Sequence, residues 1–279
     1  MSILKSNKVK LRVKRTFLKQ GTCSRTFFYI LNREFGHPKE SEERAIDPMA
    51  GGILQNGYQC GMLWGATMAI GAESFRRCDT LNNSIRKTIR ATQHIMESFR
   101  NRAKSIECED ITTTDFKNKW SFAKYMFTGK FYKCFKLAEK WAPEAIKATH
   151  EGLDLEIAES TQTVISCASE VVKMMGGNEE EMSMVAGFAG GIGLSGNACG
   201  ALAASIWKTI LELVKTEQWK SGISDPDSEK VLKRFYETTN YKMECHEICG
   251  KRFESIEEHT EFIKTGGCKK LLEVLSKNH

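Results

Sequence analysis

The chain has 279 residues, enough to bury one large core or two modest ones, and its 41% hydrophobic and 27% charged residues are ordinary for a globular protein. No apolar run reaches the roughly 18 residues of a membrane span and no charged-then-apolar signal opens the chain, so a cytoplasmic protein is expected. The net charge of +6 is confined to the start: residues 1–20 hold seven Lys or Arg and no acid, whereas the rest carries 34 basic against 35 acidic residues.

Residues 1–20 read as a basic leader, and the alternation over Lys8–Lys14 predicts a short extended segment. Such a leader is either a solvated tail or a contact for an anionic membrane surface or an acidic partner. A first unit spans 21–151. It opens with Cys23 and an apolar helix through Thr26–Leu31, which His37-Pro38 ends. A short helix covers Ser41–Met49. A Cys-Gly turn at Cys60 leads into an apolar central helix, Met62–Phe75. Asn82–Ser105 is amphipathic and ends near Cys108. Asp115–Phe127 is helical, Gly129 interrupts, and Cys134 starts the last helix of the unit.

A second unit spans 152–279. Thr161–Met175 is an amphipathic helix carrying Cys167, capped by Gly176-Gly177. Asn178 with Glu181 three residues on marks a helix start. That helix runs into a glycine-rich turn ending in Cys199-Gly200, and Ala201–Thr216 is the second central helix. Asp225-Pro226 opens a helix ending near Cys245, Ser255–Lys264 follows, and Cys268 opens the last helix. No strand pair is evident, so the class is all-α.

The two units align on four cysteines each. Cys23, Cys60, Cys108 and Cys134 match Cys167, Cys199, Cys245 and Cys268, with gaps of 37, 48 and 26 against 32, 46 and 23. Cys60 and Cys199 share C-G-x-L, Cys108 and Cys245 share E-C-x-[DE]-I, and Cys134 and Cys268 share C-x-K-L-x-E. Shared flanks in the same order indicate a tandem duplication of a helical domain. Cys78 and Cys249 fall outside the pattern and read as buried small side chains, with a C-x-x-x-C pair to Cys245 as the rival reading of Cys249.

Ten cysteines exceed what packing requires, and disulfides are not expected where thiols are held reduced. Four per unit suits a tetrahedral thiolate site or an iron–sulfur cluster. The tight C-x-x-C pairs of zinc ribbons and ferredoxins are missing, so each ligand would come from a different helix end. Cysteines at helix N-termini feel the positive end of the macrodipole. Gly190, Gly191, Gly193, Gly196 and Gly200 let backbone N–H groups approach a sulfur or a bound anion and are the candidate cofactor-contacting glycines. The G-x-G-x-x-G match at Gly191–Gly196 follows no strand and carries little weight for a dinucleotide. His246 reads as a capping or solvated side chain, with metal ligation the lesser alternative.

At Cys199–Ala204, with Cys167, Cys245 and Cys268 around it, the chain resembles the C_GCAxxG_C_C family of redox-active proteins. The resemblance is clear from about residue 155 onward and weaker in the first unit. It implies helical units with four characteristic cysteines, here Cys167, Cys199, Cys245 and Cys268. The motif's final glycine is Ala204 in the second unit. The first unit keeps it as Gly65 but has Met62 for the motif alanine. No C-x-x-C-H is present, so covalent haem is not implied.

The leading expectation is a cytoplasmic electron carrier with one iron–sulfur cluster per unit, held by Cys23, Cys60, Cys108 and Cys134 and by Cys167, Cys199, Cys245 and Cys268. A thiol–disulfide protein with Cys60 and Cys199 as nucleophiles is the second. Four-thiolate zinc, or no metal, in a partner-binding scaffold is the third. No nucleophile–base–orienter set points to a substrate-converting enzyme. The expected partner is a redox protein, with a second copy of the chain as a further candidate and nucleic acid not among them.

Overall fold

Two helices fill the centre of the molecule, Gly61–Arg77 from the first unit and Gly200–Lys215 from the second. The computed structural model describes residues 13–116, 118, 120–121, 125, 127–129, 131–156, 162–219, 222–223 and 225–277. Within these, helices carry the fold, and the only β pairing is two isolated bridges, Gln59 with Glu107 and Ala198 with Glu244. The chain is all-α. Most of the basic leader lies outside the described residues, but residues 13–20 are helical and the Phe17 ring packs on Phe135 at 4.4 Å, tilted by 50°. Much of the expected Asp115–Phe127 helix also lies outside them.

Small residues set how closely the helices approach. Gly65 sits where a Cβ would be 1.9 Å from the Ser24 carbonyl oxygen, so Cys23–Glu34 crosses the first central helix almost backbone to backbone. Gly71 plays the same part between units: a Cβ there would lie 2.3 Å from the Ser183 carbonyl oxygen, on Glu179–Val185 of the second unit. The Ser183 hydroxyl then donates to the Gly71 carbonyl at 2.8 Å. Trp64 meets Phe188 edge to face at 4.7 Å, and the Trp207 indole donates to the Glu42 carbonyl at 3.3 Å. One continuous cluster of buried side chains therefore runs through both units.

The duplication is visible bond by bond in the loops before the central helices. Cys60 N–H donates to Ile106 and Cys108 N–H to Tyr58, as Cys199 N–H donates to Met243 and Cys245 N–H to Asn197. Gly57 N–H closes on Gly51 at 2.9 Å and Gly196 N–H on Gly190 at 2.8 Å. Both loops turn left-handed, through Gly51–Gln55 and Gly190–Leu194. A left-handed non-glycine residue costs about 1–2 kcal/mol, and the first loop holds Ile53, Leu54 and Gln55 there, whereas the second places glycine at 193. The G-x-G-x-x-G match is part of this turn and follows the 3-10 helix Ala186–Phe188, not a strand.

Several element boundaries differ from the sequence expectation. The first helix stops at Glu34, because left-handed Gly36 closes it before His37-Pro38 is reached. The helix opened by Asp225 stops at Thr239, where Asn240 and Tyr241 both turn left-handed, and Cys245–Cys249 is a separate one-turn helix. Cys108 likewise starts its own helix, Cys108–Thr112, after Leu81–Ala103 has ended.

Gly71→Ala tests the packing between units. It should lower stability by about 1–3 kcal/mol through overpacking, read as a lower urea midpoint with an unchanged m-value. Ala72→Gly, one position along the same helix and also buried, should cost about 1 kcal/mol from helix propensity plus the loss of one buried methyl, of about 1 kcal/mol.

Candidate functional site

The helix starts explain where the cysteines go. Cys23, Cys108, Cys167 and Cys245 are first residues of helices, and Cys60, Cys199 and Cys268 are N-caps. Cys134 lies in the first turn of Phe131–Leu153. All eight paired cysteines thus sit at the positive ends of helices, the four of each unit coming from four separate elements. Thr22 and Ser166 cap the helices that Cys23 and Cys167 begin, accepting from Arg25 and Ser169 N–H. Gly61 leaves room for its neighbour's partner: a Cβ there would stand 2.6 Å from the Cys23 sulfur.

In the first unit, Cys23, Cys108 and Cys134 line a cavity of about 310 Å³, walled by Phe17, Phe116, Tyr125, Phe131 and Phe135. Cys60 is buried and hydrogen-bonded to the Cys23 thiol. The Tyr125 hydroxyl meets Cys134 Sγ at 3.4 Å. In the second unit, Cys167, Cys199, Cys245 and Cys268 share a cavity with Cys249, Phe253, His259 and Phe262. Only about 10 Å³ remains there, room for a single water. Cys249 Sγ lies 3.8 Å from Cys245 Sγ and 3.6 Å from Cys268 Sγ.

Cys249 is therefore not the bystander that the repeat suggested. The i, i+4 spacing puts it on the same helix face as Cys245, which is the one sequence signal that could have found it. His259 was also missed. Burial pushes its imidazole down to about 4, and Nδ1 donates to the Ile165 carbonyl at 3.2 Å, so it is neutral in the cavity wall. Cys78 belongs to neither set and lines a surface groove with Lys87 and Leu153. His246 is not in the cavity wall either; its Nδ1 holds the Gly196 carbonyl at 2.8 Å and so braces the glycine loop.

Of the candidate glycines, Gly190 directs its N–H at the Cys167 thiol, as Gly51 does at Cys23. Gly200 lines the second cavity and packs so closely that a Cβ would lie 1.8 Å from the Phe188 carbonyl oxygen. Gly191, Gly193 and Gly196 serve the loop instead: their Cβ positions face Asn197, Met96 and Arg252. The second loop reaches across the unit boundary, where the Asn197 side chain donates to Glu107, the N-cap of the Cys108 helix, at 2.6 Å. Burial pushes Glu107 up to about 7 against that hydrogen bond, with the Glu244 carboxylate adding to the rise.

Burial outweighs the helix ends in setting the thiols. It pushes Cys134 up to about 11 and Cys167 up to about 12, and lifts Cys108 and Cys199 well above the ordinary thiol range. Cys199 is raised although Ala201 and Leu202 N–H groups point at it, and Cys60 is raised by its hydrogen bond to Cys23 and then by burial. At these two positions burial therefore opposes the lowering that an N-cap position favours. Cys23 is the exception, lowered by the Cys60 hydrogen bond and by the Gly51 and Ser24 N–H groups. All ten cysteines are free thiols. Among the described residues, no three His, Cys, Asp or Glu side chains are grouped as a metal-holding set.

The fold and site define a duplicated, all-helical protein built around two buried cysteine centres. A family model described as "Putative redox-active protein (C_GCAxxG_C_C)" matches residues 22–147 and again residues 159–277, and the chain belongs to that family as two tandem units. Comparison with curated proteins and with solved structures gave no match.

The raised thiols make stability depend on pH. In the metal-free, reduced protein Cys134 and Cys167 keep their protons to about 11 and about 12, whereas an unfolded thiol ionises near about 8.5. The unfolded chain loses protons first, so the contribution is complete below about pH 8.5 and is lost as pH rises toward those values. The urea midpoint should fall between about pH 7.5 and 9.5, and Cys167→Ser should make the fall shallower.

Proposed function

We propose that the protein is a cytoplasmic electron carrier in which the four paired cysteines of each unit hold an iron–sulfur cluster. The observation that carries this reading is the gathering of four cysteines from four helix starts in each unit. Helix N-termini favour negative charge, and a cluster on four thiolates supplies it. The donor set fits the group in its chemistry, all-sulfur and met by backbone N–H groups from Gly51 and Ser24 at Cys23 and from Gly190 and Ala168 at Cys167; its spacing is that of the unloaded protein, so loading requires the sulfurs to move and the second centre to open beyond its about 10 Å³. Such donors stabilise charge on sulfur and raise a centre's potential. When bound, a cluster would supply one-electron chemistry at constant protein covalent structure.

The chain's own residues do the rest. Aromatic rings line both cavities, and in the second, which keeps only about 10 Å³, they leave almost no room for water beside the sulfurs. Burial holds the thiols protonated, so loading must release protons and must weaken on acidification. The Asn197–Glu107 hydrogen bond ties the loop of the second centre to the helix start that carries Cys108 of the first. No helix among the described residues is long and apolar enough to cross a membrane. Ten free thiols suit a reducing compartment.

Protein purified without air should absorb broadly near about 400 nm and contain iron and acid-labile sulfide in equal amounts, in two centres per chain. A colourless preparation free of iron and sulfide would remove this reading.

A second reading, thiol–disulfide exchange, is favoured by one feature, the lowered Cys23 hydrogen-bonded to Cys60. A lowered thiol is the better attacking group, and its neighbour is placed to resolve the mixed disulfide. It predicts that in the reduced, metal-free protein Cys23 reacts with iodoacetamide before Cys60, Cys167 and Cys199, as read by peptide mass spectrometry. Equal rates at all four would count against it.

A further inference from the structure

The two centres are not equivalent, and the difference lies in a residue outside the repeat. Four elements of the second unit deliver Cys167, Cys199, Cys245 and Cys268, but five sulfurs line the cavity. Cys249 closes the one-turn helix that Cys245 opens, so both side chains leave the same face. Gly250, left-handed at φ 74°, then turns the chain away and leaves Cys249 facing the cavity. Its sulfur stands between two paired cysteines, 3.8 Å from Cys245 and 3.6 Å from Cys268.

The first unit has nothing comparable. The residue four after Cys108 is Thr112, whose hydroxyl is turned back onto the Cys108 carbonyl at 2.7 Å. Its fourth cysteine, Cys134, meets the Tyr125 hydroxyl in place of another thiol. The first centre thus has four sulfurs and a phenol, and the second has five sulfurs.

We propose that Cys249 is a ligand of the second centre, interchangeable with Cys268. This rests on the reading that the centres hold iron. A four-thiolate centre uses four of the five sulfurs, and van der Waals contact between Cys249 and Cys268 means that either can occupy the fourth position with a small side-chain movement. The exchange conserves charge: the incoming thiol gives up its proton, and the departing thiolate takes one up. The second centre therefore has two interchangeable ligand sets, whereas the first has a single set.

The test is iron, sulfide and zinc analysis, with visible spectra, on the full chain purified without air. Wild type is compared with Cys268→Ser, Cys249→Ser, the double variant, and Cys134→Ser in the first unit. Both single variants of the second unit should retain the wild-type iron content with a shifted spectrum. The double variant should lose half, and Cys134→Ser should lose half by itself. The half retained by the double variant shows that the chain still folds. Loss of half the iron in either Cys268→Ser or Cys249→Ser alone would overturn the exchange. Wild-type protein that takes up zinc but no iron would end the electron-carrier reading, and the same four variants compared by zinc content would then decide the ligand assignment. Wild-type protein that holds neither metal would overturn both.

Discussion

The left-handed turns at 51–55 and 190–194 set the position of three of the four paired sulfurs in each unit. Each turn reverses the chain over a few residues, so that the strand-like link ending in Cys60 or Cys199 runs beside the one ending in Cys108 or Cys245. That pairing places two helix starts side by side, and the N–H of Gly51 or Gly190 reaches a third, at Cys23 or Cys167. Without a left-handed backbone the loop would continue outward, and these three helix ends could not meet. The steric cost is confined to a few positions. Glycines carry it at 51, 52, 190, 191 and 193, and burial of Ile53 and Ile192 offsets it elsewhere.

What gathers at these helix ends is a contest between two electrostatic effects. The N-termini favour thiolate, and burial favours thiol. Seven of the eight paired cysteines are held toward the thiol, Cys60 and Cys268 chiefly by a hydrogen bond to a neighbouring cysteine and then by burial, and Cys108, Cys134, Cys167 and Cys199 chiefly by burial. Cys23 alone goes the other way, where three backbone N–H groups and the Cys60 thiol converge on one sulfur. A cation in the site would reverse the balance for all of them, since it replaces the lost hydration with a fixed positive charge. The site is thus built to hold charge only when charge of the opposite sign is present.

Duplication gave two units one scaffold, and packing then made them different. Gly71 brings the first central helix onto the Ser183 backbone, and the Asn197–Glu107 hydrogen bond links the second loop to the start of the Cys108 helix. The first centre keeps a cavity of about 310 Å³ among five aromatic side chains, while the second closes to about 10 Å³ around five sulfurs. Two copies of one loop therefore present their cysteines to different surroundings.

The sequence by itself determined the helical class, the duplication and the eight paired cysteines, because each is written locally. Helical periodicity, the shared flanks at C-G-x-L and E-C-x-[DE]-I, and the glycine runs survive in the order of residues. Only the tertiary structure decided which thiols are activated and which neighbours complete each centre. Cys60 and Cys199 occupy the helix positions that lower a thiol, yet Cys60 is raised by its hydrogen bond to Cys23 and then by burial, Cys199 is raised by burial, and both causes come from residues distant in the chain. His259 enters the second site through helix packing that brings together residues far apart in the chain, while Cys249 and Tyr125 are near neighbours of Cys245 and Cys134 whose direction toward the cavity depends on the packing around them. Local sequence encodes the direction of a helix end; the medium around it comes from the whole fold.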